Sequence, residues 1–323
     1  MRAVVAVSQN DQDPLSGLEL QEIPMPEPRD GWTRVRLRAA SLNPHDVWTL
    51  RGVGHPAERI PIVLGCDGAG VTDDGREVIL YSVLGDPARG HGDETFDPDR
   101  AILSETVNGT LADYVLVPTQ NLVPKPAWLS FEQAATLGAV WSTAYRMLFG
   151  RAGITAGDRV LVQGASGGVA GAAITLAAAA GALVYATSRT ARKRDFALGL
   201  GAFQALESGA RLPERVDVVI ETVGEATWAH SLRAVRPGGT IVIAGATSGG
   251  MPAAELHRVF YKQLSIIGST MSTRAEFDAM LRMLEVTGVR PSIDSVIDLA
   301  DVRTGYRRLL DGDVLGKIVV SIS

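Results

Sequence analysis

Arg159-Val160-Leu161-Val162-Gln163-Gly164-Ala165-Ser166-Gly167-Gly168-Val169-Ala170-Gly171 is the stretch that decides the fold. Its first five residues have the apolar, branched character of a strand buried on both faces. The glycines that follow permit a turn closed to bulkier residues, and the Ala-rich run to Ala180 reads as a helix. A turn without side chains lets backbone approach a pyrophosphate, and the helix start offers free N–H groups and the positive end of its dipole. A plain tight turn can carry the same glycines, so the context decides. A strand precedes, a helix follows, and a second apolar strand lies at Leu183–Thr187. On that context Gly164, Ala165, Ser166, Gly167, Gly168 and Val169 are expected to bind a dinucleotide. Ala170 and Ala173 are small enough to let the helix pack closely on its strand.

The end of that second strand separates NAD from NADP. A carboxylate there bonds the ribose hydroxyls of NAD and repels a 2′-phosphate. Here the strand ends Ala186-Thr187-Ser188-Arg189, followed by Arg192, Lys193 and Arg194, with no acid before Asp195. Cations in the first turn of a helix run against its dipole, which points to an anionic ligand rather than a solvated face. Ser188, Arg189 and Lys193 are the expected contacts, and NADPH the expected cofactor.

Outward from this unit, strand and helix patterns alternate. Val216–Glu221, Thr240–Ala244 and Ser265–Gly268 read as strands, and Phe131–Phe149, Gly168–Ala180 and Arg274–Val286 as helices. This is an α/β pattern, a doubly wound parallel sheet of Rossmann type. Thr222-Val223-Gly224 and Gly245-Ala246-Thr247 end its later strands, where ligands sit in such sheets. Upstream, Arg2–Val7, Thr33–Ala40, Glu77–Ser82 and Ala112–Pro118 read as short strands of a mostly antiparallel, partly open barrel. The tail from Ile293 reads as strand, helix (Ala300–Leu310) and strand (Lys317–Ile322). Gly85–Glu105 is polar and acidic; His91, Asp93, Glu94, Asp97 and Asp99 lack a fixed ligand spacing and read as a solvated surface loop.

Composition narrows the function classes. The chain has 323 residues, 46% hydrophobic and 21% charged, which suits two globular domains. A net charge of −5 argues against nucleic acid as a partner. No apolar run is long enough to span a membrane and the N-terminus lacks a signal-like apolar segment, so the expected location is cytoplasmic. The single cysteine, Cys66, excludes an internal disulfide or a multi-cysteine zinc cluster and reads as a small packed residue. The five histidines share no spacing; only His45 falls near the expected active region, and the sequence alone builds no mechanism on it.

Several motifs in order make the chain similar to the medium-chain dehydrogenase/reductase superfamily, in its zinc-independent quinone oxidoreductase branch. They are Ala40–Asp46, Pro61–Val71, Gly109–Tyr114, the glycine turn and Leu315-Gly316-Lys317-Ile318-Val319-Val320. The resemblance implies a GroES-like, mostly β catalytic domain (1–124 and 288–323) interrupted by a Rossmann NADP-binding domain (125–287). It adds Thr143 and Lys317 to the expected cofactor contacts, and implies a homodimer, for which the apolar strand Leu264–Ile267 near the sheet edge is available.

Zinc-dependent members hold their catalytic metal with a Cys, a Gly-His-Glu motif and a later Cys. Those positions match Asn43, the Cys66-Asp67 pair and about Ala139, a poor zinc set. The expected function is therefore metal-free hydride transfer from NADPH to a quinone or α,β-unsaturated carbonyl. Asn43 is the expected donor to the developing oxyanion, with Asp46 holding the loop, or both simply cap the turn at Pro44. Trp48 stands where the branch often has a tyrosine, which implies an aromatic acceptor pocket. The alternatives are an alcohol or polyol dehydrogenase with an atypical site, and a non-catalytic NADPH-binding protein.

Overall fold

The computed structural model describes all 323 residues, which divide into two compact units, Met1–Ala139 with Pro291–Ser323, and Val140–Arg290. In chain order the first unit begins with β1 (Arg2–Ala6), β2 (Leu18–Glu22), β3 (Trp32–Ser41), α1 (Pro44–Arg51), β4 (Ile62–Val63), β5 (Asp67–Thr72) and β6 (Glu77–Leu80). It continues with β7 (Val83–Leu84), β8 (Ala101–Ile102), β9 (Tyr114–Pro118), β10 (Leu122–Pro124) and the short helix α2 (Phe131–Ala134). The second unit holds α3 (Ser142–Tyr145), β11 (Arg159–Gln163), α4 (Gly168–Ala179), β12 (Leu183–Ser188), α5 (Ala191–Gly199), β13 (Gln204–Glu207) and β14 (Val216–Glu221). It ends with α6 (Glu225–Ala234), β15 (Val235–Ile243), α7 (Leu256–Tyr261), β16 (Ser265–Gly268) and α8 (Arg274–Thr287). The chain then returns to the first unit through β17 (Ile293–Asp298), α9 (Val302–Asp311) and β18 (Lys317–Ser321).

The six strands of the second unit run parallel in the order β13-β12-β11-β14-β15-β16. This is the Rossmann arrangement, with the topological switch between β11 and β14. Val160, Leu161, Val162, Val219, Ile220, Ile241 and Val242 are all fully buried, as a sheet covered on both faces requires. In the first unit the main sheet runs β10-β6-β5-β3-β18-β17, with β9 also on β3; its pairs are antiparallel except β17 with β18. A second sheet, β2-β1-β4, packs Ala3, Val5, Val63 and Ala112 together. No helix is long and apolar enough to cross a membrane.

Three expectations are revised. The helix expected over Phe131–Phe149 is broken into α2, α3 and two wider π-type turns, Leu137–Trp141 and Arg146–Arg151. Within the first of these turns the backbone N–H of Ala139 donates to Asp67 Oδ1 at 2.6 Å, a side-chain partner that competes with the helix ladder. The break also moves the boundary between units: α2 packs on β3, β5, β17 and β18, and Phe131 lies under the Arg38 guanidinium, so residues to Ala139 belong to the first unit. Finally, Gly85–Glu105 is not a merely solvated loop. Glu94 and Asp97 are buried; Tyr81 donates to Glu94 at 2.8 Å, and Asp97 accepts from the backbone of Asp86 and Asp99. Its acids fold the segment by capping its own backbone.

Candidate active site

In the second unit the glycine turn takes the shape that its sequence allows. Gly164 sits at φ +85°, a left-handed conformation that favours glycine. Gly167 is exposed, and a Cβ there would meet nothing within 4 Å, so the space above the turn is open. It precedes α4 with no side-chain cap and no acid in the first turn, which leaves the helix N–H groups available to an anion. Ala165 and Ser166 are buried beneath, and Ala170 packs inward.

A polar network missed by the sequence reading braces the turn from below. Gln163, the last residue of β11, accepts from Thr187 Oγ1 at 2.7 Å and donates to Ser231 Oγ at 2.9 Å. Its amide also meets His230 Nδ1 at 2.8 Å, while His230 Nε2 lies 2.9 Å from the Ala210 carbonyl. The carbonyl can only accept, so Nε2 carries the proton and Nδ1 accepts from Gln163. Glu221, fully buried at the end of β14, accepts from the N–H groups of Val223 and Gly224 and from Thr227 and Ser231. Polar residues ending otherwise apolar strands were the available signal. Gly224 has φ +92°, and a Cβ there would lie 2.3 Å from the Gly249 carbonyl oxygen. Val223 reaches the turn: a Cβ on Gly164 would stand 3.7 Å from its Cγ2. Gly245 and Ala246 pack beside Thr222 and Gly224, so these predicted residues do come together.

At the end of β12, Ser188 is buried and Arg189 is exposed with no carboxylate partner. Thr190 caps α5 by accepting from the Lys193 backbone N–H, and Arg194 donates to the Ser188 carbonyl at 3.0 Å. Thr143 is buried in α3, its hydroxyl 4.0 Å from Met271 Sδ.

In the first unit a second cluster forms around Asp67, which is fully buried. Its Oδ2 accepts from Asn43 Nδ2 at 2.8 Å and Ser41 Oγ at 2.9 Å, and pairs with Lys317 Nζ at 3.4 Å. Its Oδ1 accepts from Ala139 N. Lys317 also donates to Asn43 Oδ1 at 2.6 Å and the Leu42 carbonyl at 2.7 Å. Cys66 lies 3.5 Å from Asn43 Nδ2. Asn43, Cys66, Asp67 and Ala139, read separately along the sequence, thus meet at one point.

Two roles change as a result. Lys317, expected at the cofactor, has its ammonium protons directed at Leu42, Asn43 and Asp67. Asn43 is 2% exposed with both ends of its amide engaged, so it is a hub of this network rather than a free donor. Asp46 does hold the loop, accepting from Asn43 N at 2.9 Å and Gly65 N at 3.0 Å. Burial pushes its carboxyl above the usual range, against the opposing pull of His45 and those two N–H groups. Trp48, two residues on, is 36% exposed. His45 Nε2 lies 3.1 Å from Glu105 Oε1.

Family models match both units: an alcohol dehydrogenase GroES-like domain over residues 29–127 and a zinc-binding dehydrogenase domain over 168–286. The chain is 30% identical to crotonyl-CoA reductase of Streptomyces avermitilis, across 91% of this chain and 80% of that protein. It belongs to the medium-chain dehydrogenase/reductase superfamily. Human quinone oxidoreductase is 28% identical, with 93% and 92% of the two chains covered. Among solved structures, one described as an NAD-dependent alcohol dehydrogenase superposes with a TM-score of 0.93 at 36% identity, covering both chains fully. Another, the 2-octenoyl-CoA carboxylase reductase CinF with NADP and 2-octenoyl-CoA, gives 0.88 at 26% identity over 99% of this chain and 87% of that one. The chain is accordingly an oxidoreductase that uses a nicotinamide cofactor, and the open turn before α4 has the form its pyrophosphate needs.

The donor set around Asp67 does not fit the zinc that many superfamily members carry. An amide, a backbone N–H and an ammonium stand where a metal needs lone pairs, and the carboxylate already has four donors. The Cys66 thiol is pushed well up by burial and by the charges of Asp67 and Asp46, which keeps it a neutral thiol.

Proposed function

We propose that this oxidoreductase is a metal-free, NADPH-dependent reductase of α,β-unsaturated carbonyl compounds, with quinones as a related acceptor class. The observation that carries this reading is the Lys317–Asn43–Asp67 network, a fixed set of hydrogen bonds in the position of a Lewis acid. Without a metal to polarise an alcohol, the accessible chemistry is reduction of an acceptor already activated by its own carbonyl. Bound at the turn, the cofactor supplies a hydride. The Gly164–Val169 segment and α4 hold its pyrophosphate, Val223, Gly245 and Ala246 shape the strand ends beside it, and Thr143 borders the nicotinamide. Ser188, Arg189 and Lys193 receive the 2′-phosphate. The relatives named crotonyl-CoA reductase and quinone oxidoreductase support the acceptor class. NADPH oxidation should be observed with a simple enone, an enoyl thioester or a quinone; inactivity across such a panel would defeat the proposal, and tight NADPH binding without turnover would favour a binding role.

A second reading, alcohol oxidation with NAD, is favoured by the name of the 36%-identical structure. Alcohol-dependent NAD⁺ reduction exceeding enone-dependent NADPH oxidation would select it.

We also propose a homodimer formed through β16, the outer strand of the parallel sheet. Ile266 on this edge is exposed, as are Leu256, Phe260 and Tyr261 on the preceding α7, an apolar surface that pairing would cover. Sedimentation at micromolar concentration should give twice the chain mass of 34.2 kDa. A monomeric mass would contradict it.

A further inference from the structure

The Asp67 network leaves no free proton donor: the hydrogens of Asn43 and Lys317 point into the cluster, and Cys66 is buried. Two residues beyond Asn43 stands a group that the network does not use. His45 lies in the first turn of α1, its Nε2 donating to Glu105 Oε1 at 3.1 Å. Glu105 is anchored in turn, its other oxygen accepting from the Ile102 backbone at 2.8 Å. His45 Nδ1 is buried and has no hydrogen-bond partner. A buried polar atom left unmatched is costly, and such an orphan calls for an explanation in a ligand or a reaction.

We infer that His45 supplies the proton that completes the reduction, through Nδ1, with Glu105 holding the ring by Nε2. This rests on the reductase reading above. Hydride addition at the carbon β to the carbonyl moves the alkene electron pair onto the α carbon and the oxygen. The Nδ1–H bond then breaks with its electrons staying on nitrogen, and the proton forms the new α C–H bond. Neutral His45 regains a proton from water, so each turnover consumes one hydride and one proton. The surroundings favour the charged ring. Burial opposes the charge, but the hydrogen bond that the ring donates to Glu105 and the charges of Asp46, Glu105 and Asp67 outweigh it, and the net shift is upward. His55, also close by, is shifted down and adds no competing charge near neutral pH. The donor form is therefore present below a midpoint above the usual histidine value of about 6.5, and is lost as pH rises through that midpoint.

Two measurements test this. NMR titration of the His45 ring in the cofactor-free protein, assigned by its absence from His45→Gln, should give a midpoint above about 6.5. Glu105→Gln should move that midpoint down. In the NADPH-saturated wild type, kcat for cyclohexenone should fall on the alkaline side with a solvent isotope effect. His45→Gln should lower kcat by about 10²–10⁴-fold and remove that limb, leaving NADPH affinity unchanged. Glu105→Gln, which keeps the imidazole, should shift the limb to lower pH. An unshifted midpoint in Glu105→Gln, or a His45→Gln enzyme retaining the limb and nearly full kcat, overturns the inference alone. A wild type that reduces no acceptor overturns the function proposal with it.

Discussion

Lys317→Met is expected to destabilise the protein by about 3–5 kcal/mol, the cost of leaving one member of a buried ion pair without its partner. Lys317 is 4% exposed and Asp67 fully buried. Removing the ammonium strips Asp67 of its counter-charge and Asn43 Oδ1 of its donor, while the three remaining donors to Asp67 are neutral. Losing hydrogen bonds between neutral groups costs less, about 1 kcal/mol each. Adding Asp67→Asn to Lys317→Met removes the uncompensated charge and should recover a substantial part of the loss. Urea unfolding of the two single variants and the double variant measures this coupling. A Lys317→Met loss under 1 kcal/mol, or strictly additive effects, would show that the pair is not the hub described here.

Ser188→Asp combined with Arg189→Gln is expected to turn cofactor preference from NADPH towards NADH, lowering NADPH affinity about 10–100-fold. Ser188 ends β12, where a carboxylate bonds ribose hydroxyls and repels the 2′-phosphate. Arg189 is exposed and has no carboxylate partner, so its guanidinium is free for a dianion. A hydrogen bond to a charged group contributes about 1.5–3 kcal/mol, which corresponds to the expected factor. NADH affinity should hold or rise, because the new aspartate has hydroxyls to accept from. Titrations of both cofactors check this. An unchanged NADPH-to-NADH ratio would place 2′-phosphate recognition elsewhere.

The parallel sheet was legible because its signals are local. Arg159–Gln163, Val216–Glu221 and Ser265–Gly268 are strands at the positions that their apolar runs mark. Gly164 needs a positive φ, and an open turn followed by a helix can be read from adjacent residues. The network around Asp67 was only half legible. Its members lie at 43, 67, 139 and 317, and no local rule says that an amide, a carboxylate, a backbone N–H and an ammonium from those positions share hydrogen bonds. Motif order gives the positions but not the roles, and so points Lys317 at the cofactor and Asn43 at the substrate oxygen. The break at Ala139 was hidden for the same reason: helix propensity is local, whereas the competing acceptor, Asp67, lies 72 residues away. Gln163, Glu221 and His230 were overlooked because polar residues beneath a turn look like ordinary strand and helix ends until their partners are known.

The proposed reaction needs no metal, because an ammonium–amide–carboxylate network ties Lys317, Asn43 and Asp67 together. Its most direct test is the rate of NADPH oxidation by an enone or enoyl thioester before and after exhaustive chelation, with zinc measured in the same samples. An undiminished rate, far less than one zinc per chain, and no gain on adding zinc are expected. Activity lost on chelation and restored by zinc would contradict this.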